Sequence, residues 1–292
     1  MQKIFPHLWF DKEAEEAVNF YLEVFDNSKI NSVVTLKDTP SGDSKIFTFE
    51  IKGFKIMAIN AGPYFKMNPS ISLNVVFNLA KDKDAKEKLE TAYKKLAKEG
   101  KVINQLDEYP FAELYAWVVD KYGFSWQLIL VNYEMSRDIN LYMMFSGRNY
   151  GKAEAAINYY LNVFKKSKAG EIYYYPEEEP KKVIYGDFEL ENQLIMVSDD
   201  NQDYNFNEAI SLLVLCEDQA EIDYLWEKLS FDKTQEQCGW LKDKFGVSWQ
   251  ITPKVLRDML ENGTLEQIQR VFKKLMPMKK IIIQDLVDSF NE

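Results

Sequence analysis

Histidine occurs once in this 292-residue chain, cysteine twice and glycine only 12 times. Two thiols, Cys216 and Cys238, give no disulfide framework. A single imidazole, His7, restricts any Ser-His or Cys-His couple to one place in the chain. No glycine-rich strand-turn-helix loop of the kind that cradles a nucleotide-like cofactor is present. Apolar runs stop after a few residues, far short of the roughly 20 needed to cross a bilayer, so no transmembrane helix is expected. The opening MQKIFPHLWF has neither the basic segment nor the apolar stretch of a signal peptide, which points to a cytoplasmic location. Basic residues are in deficit: 36 Lys and Arg stand against 46 Asp and Glu, for a net charge of −10. That field repels phosphate backbones and anionic membrane surfaces, so neither nucleic acid nor membrane is an expected partner.

Aromatic side chains are abundant. The 6 Trp, 17 Tyr and 19 Phe suit cores or cavities with large flat walls. The length suits two domains, each able to bury its own core, and an internal repeat supports that division. Residues 14–29 read AEEAVNFYLEVFDNSK and residues 153–168 read AEAAINYYLNVFKKSK, identical at ten of sixteen positions; chance gives roughly one. The same offset of 139 sets Phe49 on Phe188, Met57 on Met196, and Ile71-Ser72-Leu73 on Ile210-Ser211-Leu212. Farther on, WVVDKYGFSWQ at 117–127 matches WLKDKFGVSWQ at 240–250, now at an offset of 123. The second copy has therefore lost sixteen residues between the two blocks, which implies a trimmed hairpin or loop.

Hydrophobic periodicity predicts the elements of one copy. Ile4 to Phe10 is apolar and β-prone, and then Ala14, Ala17, Val18, Tyr21, Val24 and Phe25 recur at helical spacing. Strands follow at 31–37, 45–52 and 54–60, the last two divided by a turn at Lys52-Gly53. A strand at 71–77, a helix over 83–98 and a closing hairpin of 115–119 with 124–131 complete the copy, the polar stretch 102–114 reading as a turn-rich connection. The expected domains are residues 1–133 and 142–252, with a linker at 134–141 and a C-terminal tail at 253–292. The tail carries helical patterns at 254–262 and 264–275, a short β-prone run from Lys279 to Ile283, and Asp285 as cap of a last helix. It matches nothing in the repeat and is expected to brace the two copies.

LWFD before the AEEAVNFY helix, the word GPYFKMNPSISL, and WxxDxxGxSWQ in the last hairpin together resemble the PhnB-like branch of the vicinal-oxygen-chelate superfamily. This is the superfamily of glyoxalases, bleomycin-resistance proteins and dihydroxybiphenyl dioxygenases, and some members of the branch are labelled 3-demethylubiquinone-9 3-methyltransferase-like. The resemblance implies an α+β fold: tandem modules of βαβββ units whose curved mixed sheets enclose cavities. It also supplies a test for a metal. Metal-using relatives take a His from the first strand of a unit and a Glu from the last. At the Glu position this chain has Gln127 in one copy and Gln250 in the other, and opposite His7 the second copy has Tyr142. An amide is a weak neutral ligand and cannot act as a base. The expectation is no metal and no cofactor.

The candidates for a ligand site are then His7, Trp9, Phe49, Tyr115, Gln127, Tyr142, Phe188 and Gln250. His7 is either a packed strand residue or a ligand-facing one. By carry-over from the family, Gln127 and Gln250 face the cavity while Trp126 and Trp249 face the core. Trp9, Phe49, Tyr115 and Phe188 are candidate cavity walls. Cys238 and Cys216 read as structural thiols on strands, and Glu177-Glu178-Glu179 as a solvated acidic turn. A metal-independent protein that binds a small organic molecule accounts for this set, as a pseudo-twofold monomer or a homodimer. An enzyme using His7, Tyr115 or Tyr142 as acid or base is the alternative, and a structural or interaction module is a third reading.

Overall fold

The computed structural model describes residues 2–39, 41–133, 135, 137–176 and 179–292. Glu177 and Glu178 of the acidic turn, with residues 134 and 136 of the expected linker, lie outside the described residues. The first copy runs β1 (Ile4–Phe10), α1 (Ala14–Val24), β2 (Ser28–Thr39), β3 (Gly42–Ile51) and β4 (Phe54–Asn60), then β5 (Ile71–Asn78), α2 (Ala85–Ala97), β6 (Lys101–Tyr109), β7 (Ala112–Val119) and β8 (Ser125–Val131). The second runs β9 (Ile139–Phe145), α3 (Ala153–Val163), β10 (Ser167–Tyr174), β11 (Val183–Leu190) and β12 (Gln193–Asp199), then β13 (Ile210–Cys216), α4 (Gln219–Leu229), β14 (Trp240–Lys242) and β15 (Ser248–Pro253). Helix α1 buries Ala14, Ala17, Val18, Tyr21 and Val24, the stripe its three-and-four spacing prescribes. Lys52 and Gly53 both take positive φ, +48° and +78°, in the turn from β3 to β4. Ile139 to Leu141, expected in the linker, belong to β9 and are buried.

The strands assort into two curved mixed sheets, and neither sheet belongs to one copy. The first has the order β14-β15-β13-β1-β4-β3-β2 and the second β10-β11-β12-β9-β5-β8-β7-β6. The seam of the first sheet is the antiparallel pair β1 and β13, with Ile4 opposite Val214 and Leu8 opposite Ile210. The seam of the second is β5 against β9. Each sheet thus joins half of one copy to half of the other.

Helices from both copies fill the space between the sheets. Tyr21 of α1 stacks on Phe49 of the first sheet, 6.4 Å between ring centres, and meets Trp126 of the second edge-on at 5.0 Å. The second copy mirrors this, with Tyr160 of α3 between Phe188 and Trp249. These six rings are fully buried and tie both copies into one core.

Three further expectations are corrected. The polar stretch after α2 is the edge strand β6, and its register against β7 is broken by irregularities. An edge strand exposed on one side carries polar residues as readily as a loop does. The sixteen residues missing from the second copy include the counterpart of β6, and β14 keeps only three residues where β7 has eight. In the tail, α5 (Lys254–Asn262) and α6 (Leu265–Leu275) form where expected, and Thr264 caps α6 in a reciprocal capping box with Gln267. The run 279–283 is not a strand, and the last helix, α7 (Ile283–Asn291), starts from Ile282 with Asp285 inside its first turn. Backbone N–H groups of Cys238 and Gly239 donate to the Met278 and Lys279 carbonyls, which pins this run to a turn of the second copy.

Candidate functional site

Strand register settles which residues of the two copies correspond. His7 lies opposite Met57 on one side and Ser211 on the other; Tyr142 lies opposite Met196 and Ser72. Met57 and Met196, like Ser72 and Ser211, are repeat mates. His7 and Tyr142 therefore hold the same place in the two sheets. Gln127 pairs with Trp117 and Gln250 with Trp240 in the same way, and Cys238 stands two residues before its tryptophan where Tyr115 stands in the first copy. Two equivalent polar clusters result, one on each concave face.

On the second sheet the cluster bonds within itself, and only the neighbouring Asn140 amide, opposite Asn74, is buried without a partner there among the described residues. Tyr115 Oη donates to Gln127 Oε1 at 3.0 Å, Gln127 Nε2 donates to Ser72 Oγ at 3.0 Å, and Trp117 Nε1 donates to Ser125 Oγ at 2.7 Å. Tyr142 bonds to Ser198, and the Trp117 ring lies edge-on to it at 5.7 Å. Ile103 and Tyr109 of the β6–β7 hairpin pack on this group. Burial pushes the Tyr115 and Tyr142 phenols above their ordinary range, so both remain protonated.

On the first sheet the cluster borders a cavity of about 500 Å³. Gln250 Nε2 contacts His7 Nδ1 and donates to Ser211 Oγ at 2.8 Å. With the amide oriented as in Gln127, it donates to Nδ1, which leaves the imidazole proton on Nε2. That nitrogen, with Ser248 Oγ, is buried and without a hydrogen-bond partner among the described residues. An unmade bond of this kind costs about 1–3 kcal/mol. Ser248 is the mate of Ser125, which does receive its tryptophan's N–H. Burial holds His7 down at about 4, so the ring is neutral at pH 7.

Trp9, Trp240 and Phe65 supply aromatic wall: Trp9 meets Phe65 edge-on at 5.1 Å and Trp240 at 6.2 Å, and its Nε1 donates to the Gly62 carbonyl at 2.8 Å. The remaining wall comes from the tail, through residues that include Leu256, Leu260, Phe272 and Met276. Helices α5 and α6 thus face the cavity from outside the repeat, α5 touching both β2 of the first copy and β15 of the second.

The predicted residues therefore part company. His7, Trp9 and Gln250 border this cavity; Tyr115, Gln127 and Tyr142 sit together on the other sheet. Phe49 and Phe188 lie on the opposite, helix-covered face against Tyr21 and Tyr160, because side chains alternate and it is Thr48 of β3 that faces the cavity. Cys238 is not on a strand but in a turn at φ +52°, its Sγ against Met276, and burial pushes the thiol up to about 11. Sequence reasoning passed over Ser211 and Ser248, which stand inside the repeated words ISL and SWQ, and every tail residue, for which the repeat holds no counterpart. The conserved-looking Asp of the repeated word is structural: Asp243 accepts from Phe245 N, Val247 N, Tyr160 Oη and Trp249 Nε1, all within 3.1 Å. Asp120 plays the same part in the first copy, although burial pushes it up to about 6.

Two sheets with shared seams, helices between them and a ligand-sized hollow on a concave face define the vicinal-oxygen-chelate class. A family model described as 3-demethylubiquinone-9 3-methyltransferase matches residues 2–129 and again 137–252, and the chain belongs to that family as a tandem duplicate. Among solved structures, the PhnB protein from Bacillus cereus is 35% identical over 44% of this chain and 100% of its own, with a TM-score of 0.40. Glyoxalase I from Zea mays is 10% identical over 90% of this chain and 97% of its own, with a TM-score of 0.59, and shares the fold. Comparison with curated proteins gives no match.

Proposed function

We propose that this protein is a metal-independent small-molecule binding protein that holds a small organic compound in the cavity of the first sheet. The observation that carries the reading is the donor set at that cavity. At the His7–Gln250 cluster that borders it, one imidazole, one amide and the hydroxyls of Ser211 and Ser248 meet, and no group of three His, Cys, Asp or Glu fit to hold a metal occurs among the described residues. A transition-metal site takes at least three good ligands; these residues do not fit one. Nor do they fit the methyl donor that the family's description would require. A cationic sulfonium cofactor with ribose hydroxyls calls for free carboxylates, and those bordering the cavity, Glu208 and Glu261, are already paired with Lys242 and Arg257. What the cavity offers is mostly aromatic and aliphatic wall with uncharged hydrogen-bonding side chains set into it, the usual make-up of a small-molecule pocket.

Native mass spectrometry with elemental analysis tests this, on protein purified without chelator. The expected result is no stoichiometric metal and an unchanged melting temperature after dialysis against EDTA. A stoichiometric transition metal that disappears in His7→Phe would overturn the reading and return the site to metal-assisted chemistry.

A further inference from the structure

The cavity of the first sheet is electrically balanced. Its four charged side chains pair off, Lys242 with Glu208 at 2.7 Å and Arg257 with Glu261 at 2.8 Å. Neither ion pair leaves a charge for a ligand to meet, and a charged ligand that displaced one partner would strand the other in a largely buried place. Two further titratable groups at the wall, the His7 ring and the Cys238 thiol, are kept uncharged near neutrality by burial. Two fully buried polar atoms at this wall have no hydrogen-bond partner among the described residues. Ser248, Ser211 and His7 stand side by side on β15, β13 and β1, and the outer two contribute Ser248 Oγ and His7 Nε2. The same cavity is lined by apolar side chains of the tail, among them Leu260 of α5, Phe272 of α6 and Met276 just past it.

We infer that the ligand is an uncharged, largely apolar molecule carrying one or two carbonyl or hydroxyl oxygens, with the oxygen end at His7 and Ser248 and the apolar end against the C-terminal helices. The inference rests on the proposed function above and names its ligand class. It makes the tail, which lies beyond the stretch matched by the family, a specificity-determining wall. At the ~30 Å³ a water-sized group takes in a liquid, the cavity admits roughly 16 non-hydrogen atoms, which sets the scale of the probe.

Isothermal titration of the full chain with decyl methyl ketone, dodecanoate and dodecylamine tests the class, with tryptophan emission reporting contact at Trp9 and Trp240. The ketone is expected to bind saturably, one per chain, and the two ions at least about tenfold more weakly. His7→Phe is expected to weaken the ketone about tenfold, the effect of one hydrogen bond. Leu260→Trp, which places bulk in the tail's share of the cavity, is expected to shift preference to hexyl methyl ketone. Carboxylate or amine binding as tight as the ketone overturns the ligand class while leaving the cavity a binding site. An unchanged length preference in Leu260→Trp overturns the role of the tail. Absence of binding by all probes, with tryptophan emission unmoved, overturns both this inference and the proposed function.

Discussion

His7 and Asp243 show how differently two buried titratable residues can serve one fold. The imidazole takes up a proton in the unfolded chain as pH falls through 6.5, whereas in the folded site it resists to about 4. Between those values the unfolded state binds more protons, so stability rises with pH. The contribution is complete above pH 6.5 and is lost as pH falls toward 4, by ~1.4 kcal/mol per unit and about 3 kcal/mol across the window. Urea denaturation at pH 7.5 and 4.5 should show that loss in the wild type relative to His7→Gln, a comparison that cancels the titration of the carboxylates; equal pH dependence in the two proteins would refute it. Asp243 binds no ligand but ends four hydrogen bonds in a fully enclosed place. Asp243→Ala strands their donors and should cost at least about 3 kcal/mol in urea midpoint analysis, whereas a loss below about 1 kcal/mol would mean that the turn reorganises.

At the scale of elements, the two copies differ in what covers the concave face. In the second sheet β6 and β7 supply their own cover, and the hairpin's aromatics pack into the hollow. In the first sheet that hairpin is cut back to β14, and the tail stands over the face instead. The tail has its own small core, with Val271, Leu275, Ile281 and Leu286 buried, although Cys238 of the second copy also packs on it; the sheets are expected to survive its release. Val271→Asp places a charge in that core and should release the tail: limited proteolysis should then cut between residues 253 and 281 while the remaining fragment keeps its β-sheet circular dichroism. Loss of the whole fold in this variant would show that the tail is integral to the sheets.

The whole molecule behaves as a dimer joined into one chain. Because β1 pairs with β13 and β5 with β9, neither copy completes a sheet from its own strands here. A fragment of residues 1–135 leaves the edges of β1 and β5 unpaired and should associate with a second fragment through these edges. Light scattering of that fragment should report a dimer; a stable folded monomer would contradict the topology.

Much of this was legible in the sequence. The period of the apolar residues gave the helices of the repeat and tail, and the offsets of 139 and 123 gave the duplication and its sixteen-residue gap. Gln127 and Gln250 could be singled out because their words are repeated and their neighbours fixed. What alternation could not supply was the face each strand turns to the helices, so Phe49 and Phe188 were indistinguishable from cavity residues until α1 and α3 were seen packed on them. Strand β6 was hidden because an edge strand buries too little to show a pattern. The exchange of halves between the copies, the meeting of His7 with Gln250 across 243 positions, and the tail at the cavity are long-range pairings. Local sequence determines which segments form strands and helices and what each can bury; which of two equivalent partners a strand edge takes is decided only when the whole chain packs, because hydrogen-bonding edges are alike and the burial that distinguishes them is tertiary.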